Sequence, residues 1–229
     1  MTTFAWPANW GVSAFSMRVK PNTRTFIGPY TSTVQTLDLT GEKWVASIET
    51  TPGIDPDVAG AQEAFFDRLR GPVHRIALWN LKRPVPRGTL RDGVSISVVN
   101  TALSPLTVVN GSGAPLTVIG GTPMLSASVA RGASLLPVSH VPGRTVNAGD
   151  MVGVGIGGQL VRAMANAVFD GAGNATIEVN PRMRNDVPVG TVLVWDKPTA
   201  NFMLQSDGVP VVHRPGMREG SSVELMEAP

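Results

Sequence analysis

The sequence predicts a mainly β protein, with one large β domain carrying a single α-helix and a second, small β-barrel module. Three observations carry this. Apolar and polar residues alternate with period 2 over many short stretches, the pattern of half-buried strands. Turn formers are dense, with 25 glycines and 19 prolines in 229 residues, as short strands joined by frequent turns require. Only one segment, 57–70, changes to helical spacing.

Taken in order, Phe4, Trp6 and Trp10 open the chain among Pro7, Asn9 and Gly11. Phe15, Met17 and Val19 then alternate with Ser16, Arg18 and Lys20, which predicts a strand, and Pro21 with Asn22 predicts a turn after it. Val34, Thr36 and Asp38 alternate with Gln35, Leu37 and Leu39 as far as Gly41; Trp44, Ala46 and Ile48 alternate with Val45, Ser47 and Glu49. Together these runs predict a meander. Asp55, Pro56 and Asp57 then precede Val58, Ala61, Phe65 and Leu69, a 3-4-4 apolar spacing. Acids at its start and Arg68 and Arg70 at its end suit the helix dipole, and Gly71 with Pro72 ends it. The predicted helix runs from Pro56 or Asp57 to Arg70, with Val58, Ala61, Phe65 and Leu69 as the face laid on a sheet containing Trp44 or Trp79.

A strand is predicted over 73–81, then a proline-rich connector over 82–88. A ten-residue repeat follows, Pro105 to Val109 and Pro115 to Ile119, with a glycine-rich tip at 110–113; it predicts a β-hairpin. Further strands are predicted at 134–139, 151–156, 159–164, 175–180 and 191–196, enough for a small barrel. Pro123 and Pro198 bracket this stretch, and Phe202, Met203 and Leu204 resume an apolar run after it. The expected organisation is therefore a first domain of 1–122 with 201–229, and an inserted module of 123–200. A strand over 222–226 is expected to close an edge of the first domain.

Composition excludes several classes of chemistry. With no cysteine, the chain has no disulfide scaffold, thiolate zinc site, iron–sulfur site or thiol nucleophile. The net charge of +2 does not by itself predict nucleic-acid binding. No apolar run reaches membrane-spanning length, so no membrane partner is expected. The first six residues lack a charged and then apolar leader, so no signal peptide is expected.

Each candidate site in the sequence also has a structural explanation. Gly153, Gly155 and Gly158 satisfy a G-x-G-x-x-G spacing, but no βαβ alternation surrounds it, and two strands joined at Gly157 and Gly158 explain it better. His74, His140 and His213 stand far apart, without the spacing of a metal site. Ser139 beside His140 lacks a nucleophile elbow. Asp55 and Asp57 suit a helix start, and Asp170 alone supplies one oxygen ligand where calcium needs six to eight. No cofactor is expected, and no catalytic residue. One charge cluster stands out: Arg68, Arg70, Arg75, Lys82, Arg83, Arg87 and Arg91 lie within 68–91, which contains no acid. Arginine is enriched at protein interfaces. Arg75, Lys82, Arg83, Arg87 and Arg91 are therefore the candidate subunit interface.

The order of several short motifs resembles minor tail and distal-tail-like proteins of tailed bacteriophages. They are the aromatic N-terminus; Asn22, Thr23, Arg24, Thr25 and Phe26; Val34, Gln35 and Thr36; Gly41 to Trp44; the helix ending at Leu69, Arg70 and Gly71; and Pro86 to Gly88. In the second half, Ala148 to Asp150, Asp170 to Thr176, Asn180 to Arg184, and Lys197 with Pro198 are similar to a β module carried by many of them. The resemblance implies a β-sandwich with one flanking helix, like tail-tube proteins, and a virion structural role without enzymatic activity. It implies a ring of identical subunits, most commonly a hexamer, at the tail tip. Its expected partners are the tail tube and the baseplate hub or receptor-binding proteins, with nucleic acid only passing through the ring. The expected location is the virion, after synthesis in the bacterial cytoplasm. The alternative is a carbohydrate-binding β-sandwich module for host attachment, with Trp6, Trp10 and Tyr30 as the aromatic platform. An envelope-degrading hydrolase would need an acid pair or triad that the sequence does not assemble.

Overall fold

Alternation builds the strands of the first domain, but their pairing departs from the predicted meander. The computed structural model describes residues 1–7, 10–27, 33–52, 56–91, 122–155, 157–209, 213–214, 217–218 and 220–228. The predicted hairpin repeat, Tyr30 and Asp55 lie outside them. The elements are β1 (Thr3–Ala5), β2 (Val12–Ile27), β3 (Val34–Thr50), α1 (Pro56–Leu69) and β4 (Arg75–Leu78). Next come β5 (Met124–Leu125), β6 (Leu135–Ser139), β7 (Thr145–Val146), β8 (Met151–Val154), β9 (Gln159–Ala163) and β10 (Ala167–Val168). Then follow β11 (Asn174–Asn180), β12 (Leu193–Val194), β13 (Ala200–Leu204), β14 (His213–Arg214), β15 (Met217–Arg218) and β16 (Ser222–Glu227). Among the described residues the protein is mainly β, with one α-helix.

The chain forms two compact units, Met1–Pro84 with Gly157–Leu160 and Lys197–Pro229, and Val85–Ile156 with Val161–Asp196. The second unit thus begins at Val85, not at 123. The 85–91 segment goes with it for a local reason: Arg87 and Gly88 donate their backbone N–H groups to Asp150 at 2.8 and 3.1 Å. Thr89 also bonds Thr145, and Leu90 is buried in that unit's core.

In the first unit six strands form one sheet in the order β1-β4-β13-β16-β3-β2. β1 pairs parallel to β4 and the other pairs are antiparallel. Its inner face buries Met17, Trp44, Ala46, Ile48, Ile76, Leu78, Phe202, Leu204, Val223 and Leu225. The C-terminal β16 does not close an edge. It lies between β13 and β3, because its own alternation, with Val223, Leu225 and Glu227 buried, suits an interior strand. Two polar anchors tie it there. Trp44 donates its backbone N–H to the buried Glu227 Oε2 at 2.9 Å, and Thr50 and Ser221 exchange hydrogen bonds. The Trp44 indole N–H donates to the Leu160 carbonyl at 2.8 Å.

The helix forms where predicted but is turned by about one residue, roughly 100° on a 3.6-residue helix. Ala59, Gln62, Phe66 and Leu69 are its buried positions, while Val58 and Phe65 are half-buried and Ala61 is exposed. Neighbouring aromatics set this rotation. The Phe65 ring packs edge-on against Phe4, Trp6 and Trp10 at centroid distances of 6.3, 6.4 and 5.1 Å. Such pairs add about 0.5–1.5 kcal/mol each beyond burial. Arg70 and Gly71 both adopt left-handed backbone, with φ 49 and 62, and so end the helix where Gly71 and Pro72 predict.

The second unit is a nearly closed barrel. Its strands run in the order β12-β8-β9-β11-β6-β5. A bridge between Met124 and Val192 joins the two ends, reinforced by bonds from Leu125 N to Thr191 O and from Leu193 N to Pro123 O. Closure removes the open edges that short strands would otherwise present. Leu136, Val138, Val152, Val161, Phe169, Ile177 and Val179 fill its core. Gly155 and Gly157, both at positive φ, sit between β8 and β9. The glycine-rich run is therefore a strand-to-strand turn, with no helix after it to bind a dinucleotide.

Candidate assembly surface

Pro21 and Asn22 do not turn the chain. The ladder between β2 and β3 shifts register between Lys20 and Asn22 and then continues without a break to Ile27 opposite Val34. The bulge absorbs a residue that has no N–H to donate. One long two-stranded ribbon replaces two of the predicted turns. Its root lies in the sheet, and its distal part, 22–27 with 34–41, stands clear as an arm whose residues are all exposed except the half-buried Leu39.

The arm is apolar where water meets it. Phe26 is 54% exposed, Ile27 70%, Val34 64% and Leu37 51%. Residues directly opposite in an antiparallel pair share a face, and so do every second residues along a strand. The register puts Ile27 and Val34 on one face with Thr25, Thr36, Thr23 and Asp38. It puts Phe26 with Gln35, Arg24 with Leu37 and Asn22 with Leu39 on the other. Both faces therefore carry exposed apolar side chains. A two-stranded ribbon is marginal in water unless something packs on it. The motif residues Asn22 to Phe26 and Val34 to Thr36, which carry the sequence resemblance, are the arm itself. Sequence reading missed it because Pro21, Asn22 and Gly41 are turn formers. The adjacent apolar pair Phe26 and Ile27, which alternation cannot place on one buried face, was the available signal.

The outer face of the same sheet is polar to half-buried. Arg18, Val45, Met226 and Met203 lie in one register row across β2, β3, β16 and β13. The neighbouring row is Ser16, Ser47, Glu224 and Gln205. A cleft of about 520 Å³, lined by Arg18, Lys20, Val45, Glu224 and Gln205 among others, opens over these rows.

The structure divides the predicted arginine interface between the two units. Arg75 is half-buried on β4, and Lys82 and Arg83 are exposed on the turn that follows. That turn is fixed by Asn80 Oδ1, which accepts the N–H of both at 3.1 Å. Arg87 is an exposed residue of the second unit, and Arg91 ends the 3₁₀ turn Thr89–Arg91 there. The five residues are not brought together within either unit.

The other candidates take structural positions. Trp6 and Trp10, 3% and 7% exposed, turn their rings into the cluster with Phe65, so neither presents a face for stacking a sugar. His74 Nδ1 accepts the Thr2 N–H at 3.2 Å. His140 Nε2 lies 2.9 Å from the Leu90 carbonyl, with its ring against Phe169. Asp170 shapes a turn by accepting the N–H groups of Ala172 and Asn174 at 2.9 and 2.8 Å. Among the described residues no group of three or more His, Asp or Glu could hold a metal ion, and no helix is long and apolar enough to cross a membrane.

No family model matches the chain, and no curated protein matches it.

Proposed function

We propose that this chain is a structural protein of a phage tail. Identical copies form a ring at the tail tip, most commonly a hexamer, that joins the tail tube to the hub or receptor-binding proteins. The observation that carries this reading is the arm. A long ribbon with exposed apolar residues on both faces gains its stability from a surface outside its own chain. A closed ring needs two different faces on each subunit, one to give and one to receive. The arm is the giving face, and the resemblance of its motif residues to tail proteins names the assembly.

The test is an arm variant. Ile27→Ser with Val34→Ser changes exposed positions only, so its thermal melt should stay within about 0.5 kcal/mol of the parent. Its incorporation into tail particles should be lost. Normal incorporation of a variant that retains its fold contradicts the proposal.

A further inference from the structure

We infer that the receiving surface is the outer face of a second copy's sheet. One face of the incoming arm lies across its strands, with Asp38 at Arg18 and Lys20 and with Val34 over Met203. This rests on the ring reading above and specifies its contact.

Spacing and charge both support the placement. On the receiving sheet, Arg18, Val45, Met226 and Met203 sit in register on four adjacent strands, so about 14 Å separates the guanidinium end of the row from Met203. On the arm, Asp38 and Val34 lie on one face of one strand, four residues and again about 14 Å apart. A carboxylate and an apolar side chain on the arm therefore match a cation and an apolar side chain on the sheet.

Charge selects which arm face docks. The face with Ile27 and Val34 has Asp38 as its single charge; the other carries Arg24. The cleft holds Arg18 and Lys20 against Glu224, a positive balance that attracts the first face and repels the second. Methionine suits the receiving role, since its flexible, polarizable side chain adapts to what lands on it. Met203 and Met226 are half-buried beside fully buried neighbours, so the strip is accessible yet held by the sheet.

The absence of cysteine makes the test direct. A chain carrying Val34→Cys and Met203→Cys is oxidised at high concentration. Position 34 lies eleven residues along β3 from Val45, about 37 Å from the Met203 row, far beyond the roughly 7 Å that a disulfide spans. Every disulfide is therefore between chains. The expected result is a ladder of covalent multimers, reduced at least tenfold by Asp38→Lys and restored when Arg18→Asp is added. The same ladder without any effect of Asp38→Lys overturns the placement. So does a dimer formed equally well by Val34→Cys alone, which means a tip-to-tip contact. If no ladder forms while the parent chain still gives rings by mass, the placement falls and the ring reading stands. If neither forms, both fall.

Discussion

Asp150 is buried, at 2% exposure, yet both its carboxylate oxygens are hydrogen-bonded. It accepts the backbone N–H groups of Arg87, Gly88 and Asn147 at 2.8, 3.1 and 2.9 Å. Those donors come from two segments far apart in sequence, so one side chain pins the 85–91 strap to the β7–β8 turn. Gly88 fits under it because a Cβ there would lie 2.3 Å from the Thr145 carbonyl oxygen. Hydrogen bonds to a charged group are worth about 1.5–3 kcal/mol each, and the stranded donors cost more when buried. Asp150→Ala should therefore destabilise the protein by about 3 kcal/mol or more in denaturant melts. A loss under about 1 kcal/mol would show that the strap is held by Leu90 packing alone. In the sequence Asp150 reads as part of a glycine turn. Its role depends on a partner segment 62 residues away, which no local pattern reveals.

At the scale of elements, the helix gives the sharpest comparison. Phe66 is 3% exposed, whereas Phe65 is half-buried in a rim of edge-on aromatics. Phe66→Ala should cost about 3–5 kcal/mol, as for core phenylalanines, and Phe65→Ala clearly less. Equal losses, or the reverse order, would favour the face that the 3-4-4 spacing predicts. The existence and limits of α1 were legible because its spacing, its first-turn acid and its glycine stop agree. Its rotation was not, because Phe65 and Phe66 are adjacent and either could face inward until the N-terminal aromatics arrive. The barrel strands were legible too, since Leu136 and Val138, and Ile177 and Val179, alternate cleanly. The arm was not. Pro21 is a turn signal almost anywhere except at a bulge on an edge strand, and β2 is such an edge strand. The arginine cluster, contiguous in sequence, is divided between the two units at Pro84 and Val85.

For the whole molecule, the first unit is made of Met1–Pro84 and Lys197–Pro229, with Gly157–Leu160 contributed from the segment between them. The ends at Pro84 and Lys197 are adjacent: the Lys197 N–H donates to the Pro84 carbonyl at 2.7 Å. A chain lacking 85–196 and joined by a short Gly/Ser linker should fold cooperatively, because closing so short a gap costs little. It loses the Leu160 carbonyl that accepts the Trp44 indole N–H, so its stability should fall by about 1–3 kcal/mol from that unsatisfied donor. Failure to fold would mean that the sheet and helix do not form an independent domain. The central claim is that this chain is a ring subunit of a tail, and it is tested most directly by imaging tail particles that contain it. The account predicts several copies in one closed ring at the tip, with each arm lying on the next copy's sheet. A single copy per particle, or no copy in any particle, would contradict it.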